Sequence, residues 1–297
     1  MPSSPRQPPP PLVRRAPLAA LLLAACLMVL PPLAPVPAWS QSYQDKAWRR
    51  EDAATLAFQG EILPRRFLPG EHPAGDAELL ARHLTPETRT LVLDSGGGDV
   101  AVALEMARLI HDRRLDVVVR GRCASACALL PFLAGQRKTV APGAVVEFHS
   151  TNSLDPRDTL DARARLIQEM AAIRDQLPDL SRDGVTVTPP DLGAATVEAI
   201  LGARRQNAAN LRQAIAALYR EWGVAPTLLD DIDQATDDYL AAHPGIARDQ
   251  VWWWLTPGVL ADGYGVAGLT AHDPFLAPDA LAQLAARFGG VHLPRDH

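Results

Sequence analysis

Lysine is nearly missing from this 297-residue chain, which holds only Lys46 and Lys138. No stripe of arginines takes its place and the net charge is −5, which excludes a surface that grips nucleic acid through its phosphates. Long apolar runs are also scarce. One leads the chain and none follows, which argues against a polytopic membrane protein. Aromatic residues make up only 5% of the chain. Charge is dispersed and the mean hydropathy is −0.03, so a disordered polyelectrolyte is ruled out as well.

Proline is plentiful, at 27 residues, but 11 of these fall in residues 1–38. The excess therefore marks one segment and not the fold. Arg14 and Arg15 precede an apolar run over 16–30 that Pro31 and Pro32 end. That run is short for a bilayer span and has the layout of an export signal. Val36-Pro37-Ala38 supplies small residues where a signal peptidase reads, which makes Trp39 the new N-terminus. Two other readings stay open: a retained membrane anchor, and a lipidated Cys26, because Leu23-Ala24-Ala25-Cys26 resembles a bacterial lipobox. All three place the chain outside the cytoplasm, in the periplasm or on a membrane facing it. The membrane is met only through this segment. Cleavage would leave 259 residues with a net charge of −8, enough for one large domain or two small ones.

Past a polar lead-in over 39–54, apolar runs alternate with helical spacing. Strands are expected at 55–60, 90–93, 117–119 and 144–148, and helices at 77–84, 99–112 and 126–134. The 99–112 helix follows from Ala103, Met106, Ala107 and Ile110, at i, i+3, i+4, i+7. Short strands alternating with helices through short loops predict an α/β fold with a parallel, covered sheet. Two further helical stretches, 159–177 and 193–220, flank the breakers between Pro178 and Pro190. The acids at 230–238 read as a solvated helix face. Val251-Trp252-Trp253-Trp254-Leu255 reads as buried core, and a short alanine-rich helix closes the chain.

Cys123 and Cys127 are the cysteines left after cleavage. On a regular helix their i, i+4 spacing is too wide for a bridge, so a disulfide needs Cys123 to lie before the helix. Small buried packing residues are the leading reading, and the disulfide is the alternative. Without a histidine beside them they make a poor metal site, and neither a metal nor another cofactor is expected.

Three pieces carry chemistry. Ser95-Gly96-Gly97-Gly98 follows a strand and precedes a helix, so its N–H groups can point into open space toward an oxyanion. Cys123-Ala124-Ser125-Ala126-Cys127 sets a serine at a helix N-terminus, where the dipole favours developing negative charge. An N-cap serine would look the same. Glu147-Phe148-His149 ends the next strand.

In this order the stretch LVLDSGGGDVAVALEMARLI…VVVRGRCASACALLPFLAG…VVEFHS resembles the Clp protease proteolytic subunit and the ClpP/crotonase superfamily. The likeness covers residues 55–150 and 206–270, and is nearest to the periplasmic ClpP-like proteins. It implies a spiral of parallel strands covered by helices, with Ser125 as nucleophile, His149 as general base, and the amides of Gly97, Gly98 and Ala126 as the oxyanion site. The family's aspartate aligns with Trp252. Asp249 lies three residues earlier and is the nearest acid for that role. Residues 151–205 have no counterpart and form an insertion. The related signal peptide peptidases use a lysine base, and neither Lys46 nor Lys138 is placed for that.

The resemblance implies an exported serine peptidase acting on a peptide or protein, in a chain that can form a homo-oligomer. A weak or inactive scaffold that binds peptide or a partner is the rival, motivated by Trp252 and the insertion. An acyl-CoA enzyme of the same superfamily would stay in the cytoplasm.

Overall fold

The computed structural model describes residues 47–64, 74–151, 166, 168, 194–271 and 278–295. All belong to one unit, Ser42–His297. The export segment and most of the insertion lie outside the described residues. Among the described residues, no helix is long and apolar enough to cross a membrane.

The strands are β1 (Trp48–Arg50), β2 (Thr55–Gln59), β3 (Thr90–Ser95), β4 (Asp116–Ala124), β5 (Lys138–Val140), β6 (Val145–Phe148), β7 (Val251–Leu255), β8 (Leu269–Ala271) and β9 (Val291–Arg295). The helices are α1 (Asp76–His83), α2 (Val100–Asp112), α3 (Ala194–Trp222), α4 (Thr227–Ala242) and α5 (Pro278–Phe288). A further helix runs over 126–134, with π-type winding at Ala128–Phe132. The sheet is mostly parallel. Its path is β1-β2-β3-β4-β6-β7-β9, with β5 and β8 branching from β4, and only the β1–β2 and β6–β7 pairings are antiparallel. This is the α/β fold that the alternation predicts.

The core explains the strand composition. Leu56, Phe58, Leu91, Leu93, Val117 and Val119 are buried in adjacent strands, and Ala103, Met106, Ala107 and Ile110 bring the apolar stripe of α2 against them. A covered parallel sheet selects such near-continuous aliphatic runs. Asp99 caps α2, its carboxylate accepting the Val102 N–H at 2.9 Å, which satisfies one of the helix's orphan donors.

Strand β4 positions the site. Its first half pairs with β5, at Val117–Val119, and its second half pairs with β6, at Arg122–Ala124. Between them the register against β3 slips, so that Leu93 opposes Val119 while Ser95 opposes Cys123. The Asp94 carboxylate fills this bulge, accepting the Arg122 N–H at 2.9 Å. Gly121 leaves the room, since a Cβ there would collide with that carboxylate. The bulge bends the strand and re-aims the residues after it.

Several expectations meet a different outcome. Trp48–Arg50, within the expected lead-in, is an edge strand paired with β2. Within the acidic run of α4, Asp233 is buried and not solvated. Strand β9 was not expected at all. It forms because β7 offers a free edge to which Val291–Arg295 adds in parallel register. The 159–177 helix falls mostly outside the described residues, although Leu166 packs with Val197 and Leu201 of α3 in a small second apolar cluster.

Candidate active site

Ser125 sits between the end of β4 and the 126–134 helix, with φ of 57°. A non-glycine residue in this left-handed region costs about 1–2 kcal/mol, and such strain persists only where the surroundings impose it. Here they do. The Ser125 N–H donates to the Glu147 carbonyl at 3.0 Å, and its carbonyl accepts the Leu129 N–H at 3.0 Å. The helix that follows is itself unusual. Pro131 lacks the N–H that regular winding would use, the winding loosens to π-type, and the buried Tyr219 hydroxyl of α3 donates to the Leu129 carbonyl at 2.8 Å. Burial pushes the Tyr219 phenol above its ordinary range, so it stays a donor.

His149 follows β6. Its Nε2 lies 2.6 Å from the Ser125 Oγ, a distance at which the hydroxyl proton can pass to the ring. Burial holds the imidazole below its ordinary value of 6.5, and the Arg122 cation adds to this, while the Ser150 backbone, Asp249 and Asp233 oppose it. A neutral ring is a base.

Among the described residues, no acid meets the other side of that ring. The buried His149 Nδ1 has no hydrogen-bond partner among the described residues. Asp249 lies in an exposed turn, Arg248–Gln250, and contributes only at a distance. Strand register explains the gap. Phe148 pairs with Trp253 and Glu147 with Trp254, so the continued ladder sets Trp252 opposite His149. The two rings meet edge to face, with centroids 4.9 Å apart. An indole donates a hydrogen bond but accepts none, so Trp252 packs the imidazole without holding its proton.

The glycine turn faces Ser125. The Ile62 N–H donates to the Gly97 carbonyl at 2.7 Å, and the Asp99 N–H donates to the Ile62 carbonyl at 2.8 Å. That parallel bridge turns the N–H and carbonyl of Gly98 away from Ile62. The Gly97 N–H is already committed to the Ser95 Oγ at 3.1 Å, which narrows the expected oxyanion donors to Gly98 and Ala126. A Cβ on Gly97 would come within 3.0 Å of the Ala124 carbonyl, the Ser125 Cβ and the Ala126 nitrogen. The turn therefore lies flat against the serine loop.

Cys123 and Cys127 form a disulfide, with Cα atoms 5.3 Å apart. The packing-pair reading gives way because Cys123 is on β4 and not on the helix, which is the condition a bridge requires. Both residues are fully buried.

Sequence reasoning gave no role to a buried polar cluster behind the site. Glu147 accepts the Arg122 Nε–H at 2.8 Å and contacts His292 Nδ1 from β9. The Arg122 guanidinium lies over the rings of Trp252 and Phe288, at 4.5 and 4.3 Å from their centroids. Asp233 was missed too. Its carboxylate accepts the Ser150 hydroxyl and the Thr151 N–H, both at 2.7 Å, and pairs with Arg212. It thereby clamps the two residues after His149. The sequence carries one faint signal for this, an acid at 233 on a face otherwise lined by Leu229, Ile232 and Thr236. Lys138 is not near this chemistry. Its ammonium donates to the carbonyls of Gly135 and Ala267, and burial brings it down to about 8.

No protein-family model matches the chain, and no curated protein matches it. Among solved structures it is similar to a mutant of ClpP1 from Listeria monocytogenes, at 20% identity over 41% of this chain and 71% of that one, with a TM-score of 0.28. The site's chemistry therefore rests on its own geometry.

Proposed function

We propose that this chain is an exported serine hydrolase that cleaves peptide bonds with a Ser125–His149 dyad, on a ClpP/crotonase-like spiral. The observation that carries the reading is the 2.6 Å contact between Ser125 Oγ and Nε2 of the half-buried His149, whose imidazole burial holds below its ordinary value, with the serine in a strained turn against the glycine turn. Nε2 takes the hydroxyl proton as Oγ attacks the substrate carbonyl carbon. The oxygen becomes an oxyanion and accepts from the Gly98 and Ala126 N–H groups. The imidazolium then gives its proton to the leaving amine, and the acyl-enzyme is released by water that His149 deprotonates in turn. Among the described residues no carboxylate orients the imidazole, and a dyad without one runs at a lower rate than a triad would give. Packing against Trp252 holds the ring instead. Export is supported by the 1–38 pattern and by the disulfide, which suits an oxidising compartment. A peptide or protein substrate and a homo-oligomeric state follow from the sequence resemblance.

The rival reading, a binding scaffold with residual chemistry, is favoured by the lack, among the described residues, of a carboxylate at Nδ1. A fluorophosphonate probe separates the two. Protein starting at Trp39 is expected to label at Ser125, Ser125→Ala to lose the label, and His149→Ala to slow labelling by a factor of order 10². Folded protein that takes no label would leave the scaffold reading.

A further inference from the structure

We infer that the Cys123–Cys127 disulfide is what holds Ser125 in its attacking conformation, an inference that rests on the hydrolase reading. The bridge closes a loop of three residues, Ala124, Ser125 and Ala126. One end is anchored in the sheet on both sides, since Cys123 opposes Ser95 of β3 and Val146 of β6. The other end is the first turn of the buried 126–134 helix. Inside the loop lies Ser125, one of two non-glycine residues with positive φ among the described residues. The other, Arg114, lies in the turn before β4.

Three consequences follow from this placement. A relaxed Ser125 would swing Oγ off the His149 Nε2, and the closed loop removes the freedom to relax. Ala126, whose N–H is an oxyanion donor, is carried in the same loop, so nucleophile and donor are fixed relative to each other. A Cβ on Gly97 would come within 3.0 Å of atoms of Ala124, Ser125 and Ala126, so the glycine turn packs closely on that side of the loop. Both cysteines are fully buried, so a thiol reaches the bridge only through slow opening of the fold, and the bridge is a positioning element and not a switch. It forms by exchange with a disulfide oxidant: the two thiols give up two protons and two electrons, and the oxidant becomes a dithiol.

The test uses wild-type protein partly reduced with dithiothreitol, labelled with fluorophosphonate and then alkylated, so that intact mass separates bridged from reduced molecules in one sample. Label is expected on bridged molecules on the order of 10²-fold faster, the usual cost of a small misplacement of reacting groups. The pH midpoint of labelling, which His149 sets, is expected to stay unchanged. Cys123→Ala/Cys127→Ala should repeat the loss per folded molecule, where a merely stabilising bridge would lower Tm and leave the rate alone. Equal labelling of bridged and reduced molecules overturns the inference, as does alkylation of both cysteines in native protein without reductant. Should neither species label, the hydrolase reading fails, and amide exchange decides the positioning role. Exchange at Ser125 should then be faster in the reduced form while Leu91–Leu93 stay protected, and unchanged exchange at Ser125 overturns it.

Discussion

The reactivity of a serine is set by one neighbour, and here that neighbour is a histidine kept neutral mainly by burial. The base works when unprotonated, so the labelling rate should rise with pH and level off above the midpoint. Burial lowers that midpoint, so it is expected below the ordinary 6.5, and activity should persist into mildly acidic solution. A rate profile from pH 4 to 9 checks this, and a midpoint above 7 would contradict the burial argument. Trp252 covers one side of the ring through its edge contact at 4.9 Å. Trp252→Ala should admit water to the imidazole, move the midpoint back up toward 6.5, and slow labelling about tenfold as the ring loses its support. A midpoint that moves down would mean that the Arg122 charge, and not desolvation, dominates.

At the scale of elements, α4 matters to the site through a single side chain. Asp233 holds Ser150 and Thr151 and is itself neutralised by Arg212. Asp233→Ala leaves the Ser150 hydroxyl and the Thr151 N–H and hydroxyl without this acceptor and takes from the half-buried Arg212 one of its two carboxylates, Asp230 being the other, and should cost about 2–3 kcal/mol. Urea unfolding measures the loss. The labelling rate per folded molecule should fall as well, because the chain after His149 loses its anchor, and Asp233→Asn should restore part of it. A full rate on a destabilised fold would make Asp233 a stability residue only.

The same element shows what a sequence does and does not disclose. Strands β2, β3, β4 and β6 were legible because a covered parallel sheet writes itself as short aliphatic runs, and α2 because its stripe keeps helical spacing. Ser125 and His149 were legible because each ends or follows such a run. Asp233 was not, since an acid among acids looks solvated until tertiary packing buries it. The disulfide stayed an alternative because the expected strand stopped at Val119 and left the place of Cys123 open, whereas the bulge at Gly121 carries the strand on to Ala124. Strand β9 carries Pro294, which reads against a strand, yet an edge position tolerates it.

Across the whole molecule, the C-terminal segment is tied to the site through one shared carboxylate. Glu147 on β6 joins Arg122 on β4 to His292 on β9, and Phe288 of α5 covers the guanidinium. Burying ions is costly unless they are paired, and removing the shared partner is worse than removing one of two clients. Glu147→Ala strands Arg122 in a nearly dry environment and leaves His292 Nδ1 without its partner, while Nε2 keeps the Gly289 carbonyl. His292→Ala leaves the Arg122–Glu147 pair at 2.8 Å intact. The first should therefore cost about 3–5 kcal/mol and the second about 1–2 kcal/mol. Added to a Glu147→Ala background, the His292→Ala change should cost less than it does alone, because its partner is already gone. Urea midpoints of the two single variants and the double measure all three numbers. If His292→Ala proved as damaging as Glu147→Ala, β9 would be held by its histidine as firmly as the site is held by its glutamate. The pairing at Glu147 would then not be what couples them.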